Sequence, residues 1–176
     1  GFFATMDPVD NILRQIRAAG ADPQIQAIIL EIDSPGGEVT AYDEIYHELM
    51  LFKKSDPGRV VVAILGDLAA SGGYYVACAA DRIIAQPTTI TGSIGVLISS
   101  LNFRGLGDKL GIQDVTVKSG ANKDLFNPLQ EMTPEQRELI QGIVDTIYRR
   151  FVGLVAQSRK RTEAEIRPLA DGRIFT

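Results

Sequence analysis

Behind Asp7 and Pro8, apolar residues recur at steps of three and four through Val9, Ile12, Leu13 and Ile16, which predicts a capped amphipathic helix closing at Gly20. The period then changes. Residues 25–32, IQAIILEI, form a continuous apolar run of strand length, and continuity without alternation predicts a parallel strand covered on both faces. Pro35, Gly36 and Gly37 break that run, a helix is predicted over about 39–54, and VVVAIL (60–65) predicts a second strand leading into a helix that opens at Ser71. Further strands are predicted at RIIA (82–85), SIGVLI (93–98) and DVTV (114–117), with a short helix near 103–110. From Lys118 to Met132 no period holds, and a loop of that length inside a compact domain is usually functional or disordered. Thr133, Pro134 and Gln136 then carry the capping-box signature of a long helix. Strands alternating with helices, and no internal repeat, predict an α/β fold with right-handed crossovers.

The 176 residues, 45% of them apolar, are enough to bury one core, so a single domain over 1–176 is expected. A net charge of −4 argues against nucleic acid as a partner, because a phosphate-binding surface carries a basic excess. The basic clusters at 149–150 and 159–161 are expected to be a solvated helix face. Cys78 is the single cysteine, so no intrachain disulfide forms and the redox compartment stays open. No apolar run approaches the roughly 20 residues of a membrane span. Beginning GFFATMDP and ending DGRIFT, the sequence has the look of a processed or trimmed piece.

Two glycine pairs follow predicted strands: Gly36 and Gly37 after IDSP, and Gly72 and Gly73 after Ser71. Lacking Cβ, such residues let backbone amides approach one oxygen closely, as an oxyanion hole requires. Each pair alone is also an ordinary turn or helix start; together, at the carboxyl ends of parallel strands, they point to a site. Ser71 reads either as an N-cap or as a nucleophile needing a base. His47 is the only histidine, precedes Ser71 and lies on a predicted helix with Tyr42, Ile45, Tyr46 and Leu49, where a structural role is the simpler reading. The stretch Ala69-Ala70-Ser71-Gly72-Gly73 also departs from the G-x-S-x-G elbow, which argues against a Ser-His-Asp triad. Lysine is the remaining nitrogen base. It works only if desolvation lowers its pKa from near 10.4 by about three units, about 4 kcal/mol of preference for the neutral amine. Lys109 and Lys160 lie on predicted helices as surface charges, whereas Lys118 and Lys123 bracket KSGANKD in the aperiodic loop, and pattern alone does not separate these two. No cluster has metal-ligand spacing, and no metal or cofactor is expected.

DSPGG (33–37), AASGGYY (69–75), TGSIGV (91–96), KSGANKD (118–124) and the closing DGRIF together resemble the signal peptide peptidase A family of serine peptidases, relatives of the Clp protease and crotonase folds. The resemblance covers nearly the whole chain. It implies repeated β-β-α units with a mainly parallel sheet flanked by helices, Ser71 as nucleophile, Lys123 as general base and Ser93 orienting the lysine. It further implies Gly37 and Gly72 as oxyanion donors, with Gly36 shaping the turn. Asp33 and Ser34 are expected only to hold the glycine loop by local hydrogen bonds. By the same resemblance the substrates are peptides left from signal sequences and other membrane-associated peptides, bound as an added strand. Assembly is a homo-oligomeric ring or dome, and the native protein carries an N-terminal membrane anchor, a first strand and a C-terminal extension beyond this sequence. The catalytic domain then faces the extracytoplasmic side of the cytoplasmic membrane. Both Ser71 and Lys123 in one copy indicate the short type. The competing readings are a crotonase-like acyl-CoA enzyme, which uses paired amides without a serine nucleophile, and a non-catalytic membrane scaffold.

Overall fold

Leu13 and Ile16, one step of three apart on helix α1 (Pro8–Ala21), are buried as their spacing requires. The computed structural model describes residues 8–176, so the Asp7 cap expected ahead of Pro8 lies outside the described residues. Helix α2 (Val39–Ser55) buries Ile45, Leu49 and Phe52 along one stripe. These side chains close over Val61, Ala63 and Leu65, which point the same way from strand β2 (Val60–Ala70), and over Ile32 of strand β1 (Ala27–Ser34). Helix α3 (Gly72–Ala77) starts immediately after β2 and adds Val76 and Ala77 to the same core. Arg59, itself buried, ties the ends of the two long helices together. Its guanidinium donates to the Gly20 and Asp22 carbonyls and to Ser55 Oγ, and lies 4.7 Å from the centre of the Phe52 ring.

The sheet runs β1-β2-β4-β5, with β3 (Arg82–Ala85) and β4 (Ile90–Gly92) placed end to end along the other edge of β2. Strands β1, β3 and β4 run parallel to β2, and the short β5 (Ile174–Phe175) closes antiparallel on β4. The mainly parallel α/β sheet flanked by helices is thus as expected. Strand β1 is not covered on both faces, contrary to the expectation from its unbroken apolar run: Ile32 is buried, but Ile29 is 70% exposed. Among the described residues β1 is an edge strand, and its apolar composition there exceeds what the helices cover.

Pairing is out of step where it matters. Ile32 pairs with Leu65 and Ser34 with Ala69, so Asp33 alone on β1 faces Gly66, Asp67 and Leu68 on β2. The extra residues carry β2 past its expected stop at 65 and on to Ala70. The strands expected at 93–98 and 114–117 do not form; both segments lack a ladder among the described residues, and the pairing falls just earlier, at β4.

By contacts the chain divides into two compact units, one taking the chain up to Gly95 together with Arg150–Thr176, the other Val96–Arg149. In the second lies α4 (Arg104–Leu110), ended by Gly111 at φ 71°, and the irregular 118–132 segment expected from sequence. Helix α5 (Pro134–Arg159) begins at the expected capping box: Gln136 N–H donates to Thr133 Oγ1 (3.2 Å) and Thr133 N–H to Gln136 Oε1 (3.1 Å). Helix α6 (Glu163–Ile166) repeats that box with Thr162 and Glu165. The basic pair at 149–150 is not merely solvated, because Arg150 donates to Asp43 at 2.6 Å.

Candidate active site

Ser71 joins β2 to α3 with φ 51° and ψ −118°, a left-handed backbone unusual for a serine. Backbone hydrogen bonds hold it there: its N–H donates to the Gly92 carbonyl (2.9 Å) and its carbonyl accepts from Tyr75 N–H (2.9 Å). The approach of β2 is fixed from both sides. Asp33 Oδ1 accepts from Leu68 N–H across the bulge, Thr89 Oγ1 donates to the Gly66 carbonyl, and Thr91 Oγ1 donates to that of Ala69. At the N-cap position of α3 the Ser71 side chain makes no capping hydrogen bond. The helix-cap alternative therefore fails, and among the described residues the half-buried hydroxyl is left uncommitted.

The first glycine pair comes to meet it. Gly36 sits at φ 98°, and a Cβ there would lie 2.7 Å from Ser71 Cβ and from Gly72 N, and 3.0 Å from Ser71 Oγ. Only glycine fits so close to the serine. Gly72 opens α3, where a first-turn amide has no helical acceptor. Ser34 holds the loop as expected, its Oγ accepting from Gly36 N–H (3.2 Å). Ser93 directly follows Gly92, the residue whose carbonyl anchors Ser71; it too has a left-handed φ of 51°, and its N–H donates to the Arg173 carbonyl (2.7 Å). Thus Ser71, Gly72, the Gly36–Gly37 turn and Ser93 belong to one neighbourhood of the first unit. His47 is exposed on α2, away from the buried stripe of that helix.

Lys123 belongs to the second unit, on an exposed turn where its N–H donates to the Gly120 carbonyl (3.1 Å). Lys118 is engaged: its ammonium lies 2.7 Å from Asp124 Oδ1, and the Asp124 side chain is only 12% exposed. Among the described residues the Lys123 ammonium has no ion-pair or hydrogen-bond partner. Lys109 falls in the exposed last turn of α4, and Lys160 follows α5, also exposed.

Other functional groups nearby were not legible from spacing. Tyr42 Oη lies 2.8 Å from Ser34 Oγ. Tyr75 donates its hydroxyl to Asp43 (2.5 Å), which also receives Arg150, and burial followed by that carboxylate contact pushes the phenol pKa up. Cys78 is no rival nucleophile, since burial pushes its thiol up to about 11.

The model for peptidase family S49 matches residues 53–176, and that for Clp protease matches residues 5–91. The chain is 41% identical over 165 residues to a protein of Enterococcus faecium named "Putative signal peptide peptidase SppA", covering 94% of this chain and 47% of that one. It is 35% identical to "Protease 4" of Salmonella typhi, over 95% of this chain and 26% of the relative. It is 33% identical to "Serine protease SPPA, chloroplastic" of Arabidopsis thaliana, over 95% and 24% respectively. The chain thus spans about half the length of the first relative and about a quarter of the other two. With the family model matching most of its length, the chain belongs to peptidase family S49.

Proposed function

We propose that residues 1–176 form the catalytic domain of a serine endopeptidase in which Ser71 attacks the peptide carbonyl and Lys123 is its general base. The observation that carries this reading is the uncapped Ser71 hydroxyl, held at φ 51° with Gly36 so close that a Cβ would meet it at 3.0 Å. The amides of Gly37 and Gly72 stabilise the tetrahedral oxyanion, and Ser93 orients the lysine. Neutral Lys123 takes the serine proton as the Ser71 Oγ–carbon bond forms, then returns it to the leaving amine; water clears the acyl-enzyme by the same route. The engagement of Lys118 with Asp124 supports Lys123 as the base. An acyl-CoA reading gives no role to a serine kept uncapped in left-handed backbone.

A lysine base works only when water is withdrawn from it, and Lys123 is exposed in the single chain. Homo-oligomeric assembly, a ring or dome by resemblance, together with the bound peptide supplies that cover. By the resemblance the substrates are remnant signal peptides and other membrane-associated peptides, and the name of the Enterococcus faecium relative, a signal peptide peptidase, supports the first of these. Among the described residues no helix is long and apolar enough to cross a membrane. Anchoring to the cytoplasmic membrane, with this domain on the extracytoplasmic side, belongs to the full-length protein.

The test is labelling and turnover in the full-length protein. A fluorophosphonate should modify Ser71, located by peptide mass spectrometry, and Ser71→Ala and Lys123→Met should each lower signal-peptide cleavage by at least about a thousandfold while unfolding normally. Cleavage that persists in either variant rules the dyad out.

A further inference from the structure

We propose that Tyr42 is a positioning residue for the oxyanion hole, fixing the Gly37 loop against Gly72 so that two amides converge on one oxygen. The inference rests on the Ser71 peptidase reading above and concerns a residue outside the sequence motifs that carry the resemblance.

Tyr42 stands in the first turn of α2, and its ring occupies the space that side chains at both glycines would need. A Cβ on Gly72 would lie 2.5 Å from Tyr42 Cδ2 and 2.6 Å from Cγ, so the ring rests directly on the Gly72 backbone. A Cβ on Gly37 would lie 3.3 Å from Cε2 of the same ring. One rigid plane therefore touches the two residues whose separation decides whether their amides can share an oxyanion. The hydroxyl completes the clamp. Tyr42 Oη lies 2.8 Å from Ser34 Oγ, and that same Oγ accepts the Gly36 N–H. Ring, phenol, serine and glycine amide make a continuous brace from α2 through the turn after β1 to the mouth of α3. Preorganised donors stabilise a developing charge only if they need not move when it appears. Glycine pairs are the least constrained backbone available, so something outside them must supply the rigidity. A tyrosine does so with two rotatable bonds and a polar tip.

A merely packed tyrosine and a positioning one differ in what they alter. Steady-state kinetics on a fluorogenic peptide, per active site titrated with a fluorophosphonate, should be measured in the full-length protein and in Tyr42→Phe, Ser34→Ala, the double variant and Tyr42→Leu. Tyr42→Phe and Ser34→Ala are each expected to lower kcat about tenfold with KM within about twofold, and the double variant to be no slower than Ser34→Ala, because one brace has been cut. Affinity for a peptide boronate, whose tetrahedral adduct uses the same amides, should fall in parallel with kcat. Tyr42→Leu should lose about a hundredfold or more. A Tyr42→Phe enzyme with unchanged kcat per titrated site overturns the proposal, as does a kcat loss in Tyr42→Phe that boronate affinity does not follow. If the parent protein shows no Ser71-dependent turnover, the peptidase reading itself falls, and this inference with it.

Discussion

A serine at φ 51° and ψ −118° carries roughly 1–3 kcal/mol of backbone strain, which the surroundings of Ser71 must offset. They do so through its two backbone hydrogen bonds and through the absence of bulk at Gly36. Gly36→Ala attacks both the site and its support, placing a methyl 2.7 Å from Gly72 N at a φ of 98° that alanine resists. It should lose about 2 kcal/mol of stability in urea denaturation and nearly all fluorophosphonate labelling of Ser71. Gly105→Ala on α4, where nothing among the described residues lies within 4 Å, is the control and should cost no stability, alanine being the better helix former. Equal effects in the two variants would mean that the close approach at Gly36 has no special weight. The glycine pairs and Ser71 could be read from sequence because each motif is local. Tyr42 could not, since helical spacing assigns an aromatic to the core, and its hydroxyl partner exists only once α2 has docked on the glycine turn. Lys118 and Lys123 were equally indistinguishable in the string; the contact of Lys118 with Asp124 is a property of the folded turn.

Between elements, the bulge in β2 explains both a misplaced boundary and the position of the site. The strand is expected to stop at 65, yet it continues because Asp33 and Thr89 satisfy the backbone groups that the shifted register leaves over. Such long-range partners are invisible to a local pattern. So is the junction before β3, where Asp81 accepts from Val61 N–H (2.9 Å) and lies 2.6 Å from the Lys53 ammonium of α2. Partial burial there works against the Asp81 charge, but the Lys53 contact and the Val61 amide outweigh it and hold the carboxyl below its ordinary 3.8. A carboxyl depressed on folding stabilises the native state above its unfolded pKa and loses that contribution as pH falls through the folded one. Asp81→Asn should therefore melt lower than the parent at pH 7, and the gap should narrow as the pH falls below the ordinary carboxylate range. A gap in melting temperature that stays constant as the pH is lowered would show that the carboxylate charge is not what matters at this junction.

At the scale of the whole molecule, the largest mismatch between pattern and fold falls where the chain leaves the first unit and within the second. The segments 93–98 and 114–117 have the β-branched composition of strands but find no ladder partner among the described residues. A strand is stable only when its amides and carbonyls are paired, so composition can announce a strand whose partner the chain itself does not supply. The side chains agree with this: Val117 is 97% exposed, Val115 85%, Leu97 80% and Leu101 73%, far more apolar surface than a solvated loop ordinarily presents. Homo-oligomerisation, expected from the resemblance, would give both the backbone and these side chains somewhere to go. The full-length protein should accordingly run as a homo-oligomer in light scattering, and Val117→Asp, which changes little in the single chain because the side chain already faces solvent, should shift its mass toward the monomer and depress peptide cleavage together. If that variant keeps the parent mass while a second one, Leu97→Asp, does the same, these segments lie outside the subunit interface, and in the proposed mechanism the water around Lys123 must be removed by the substrate alone.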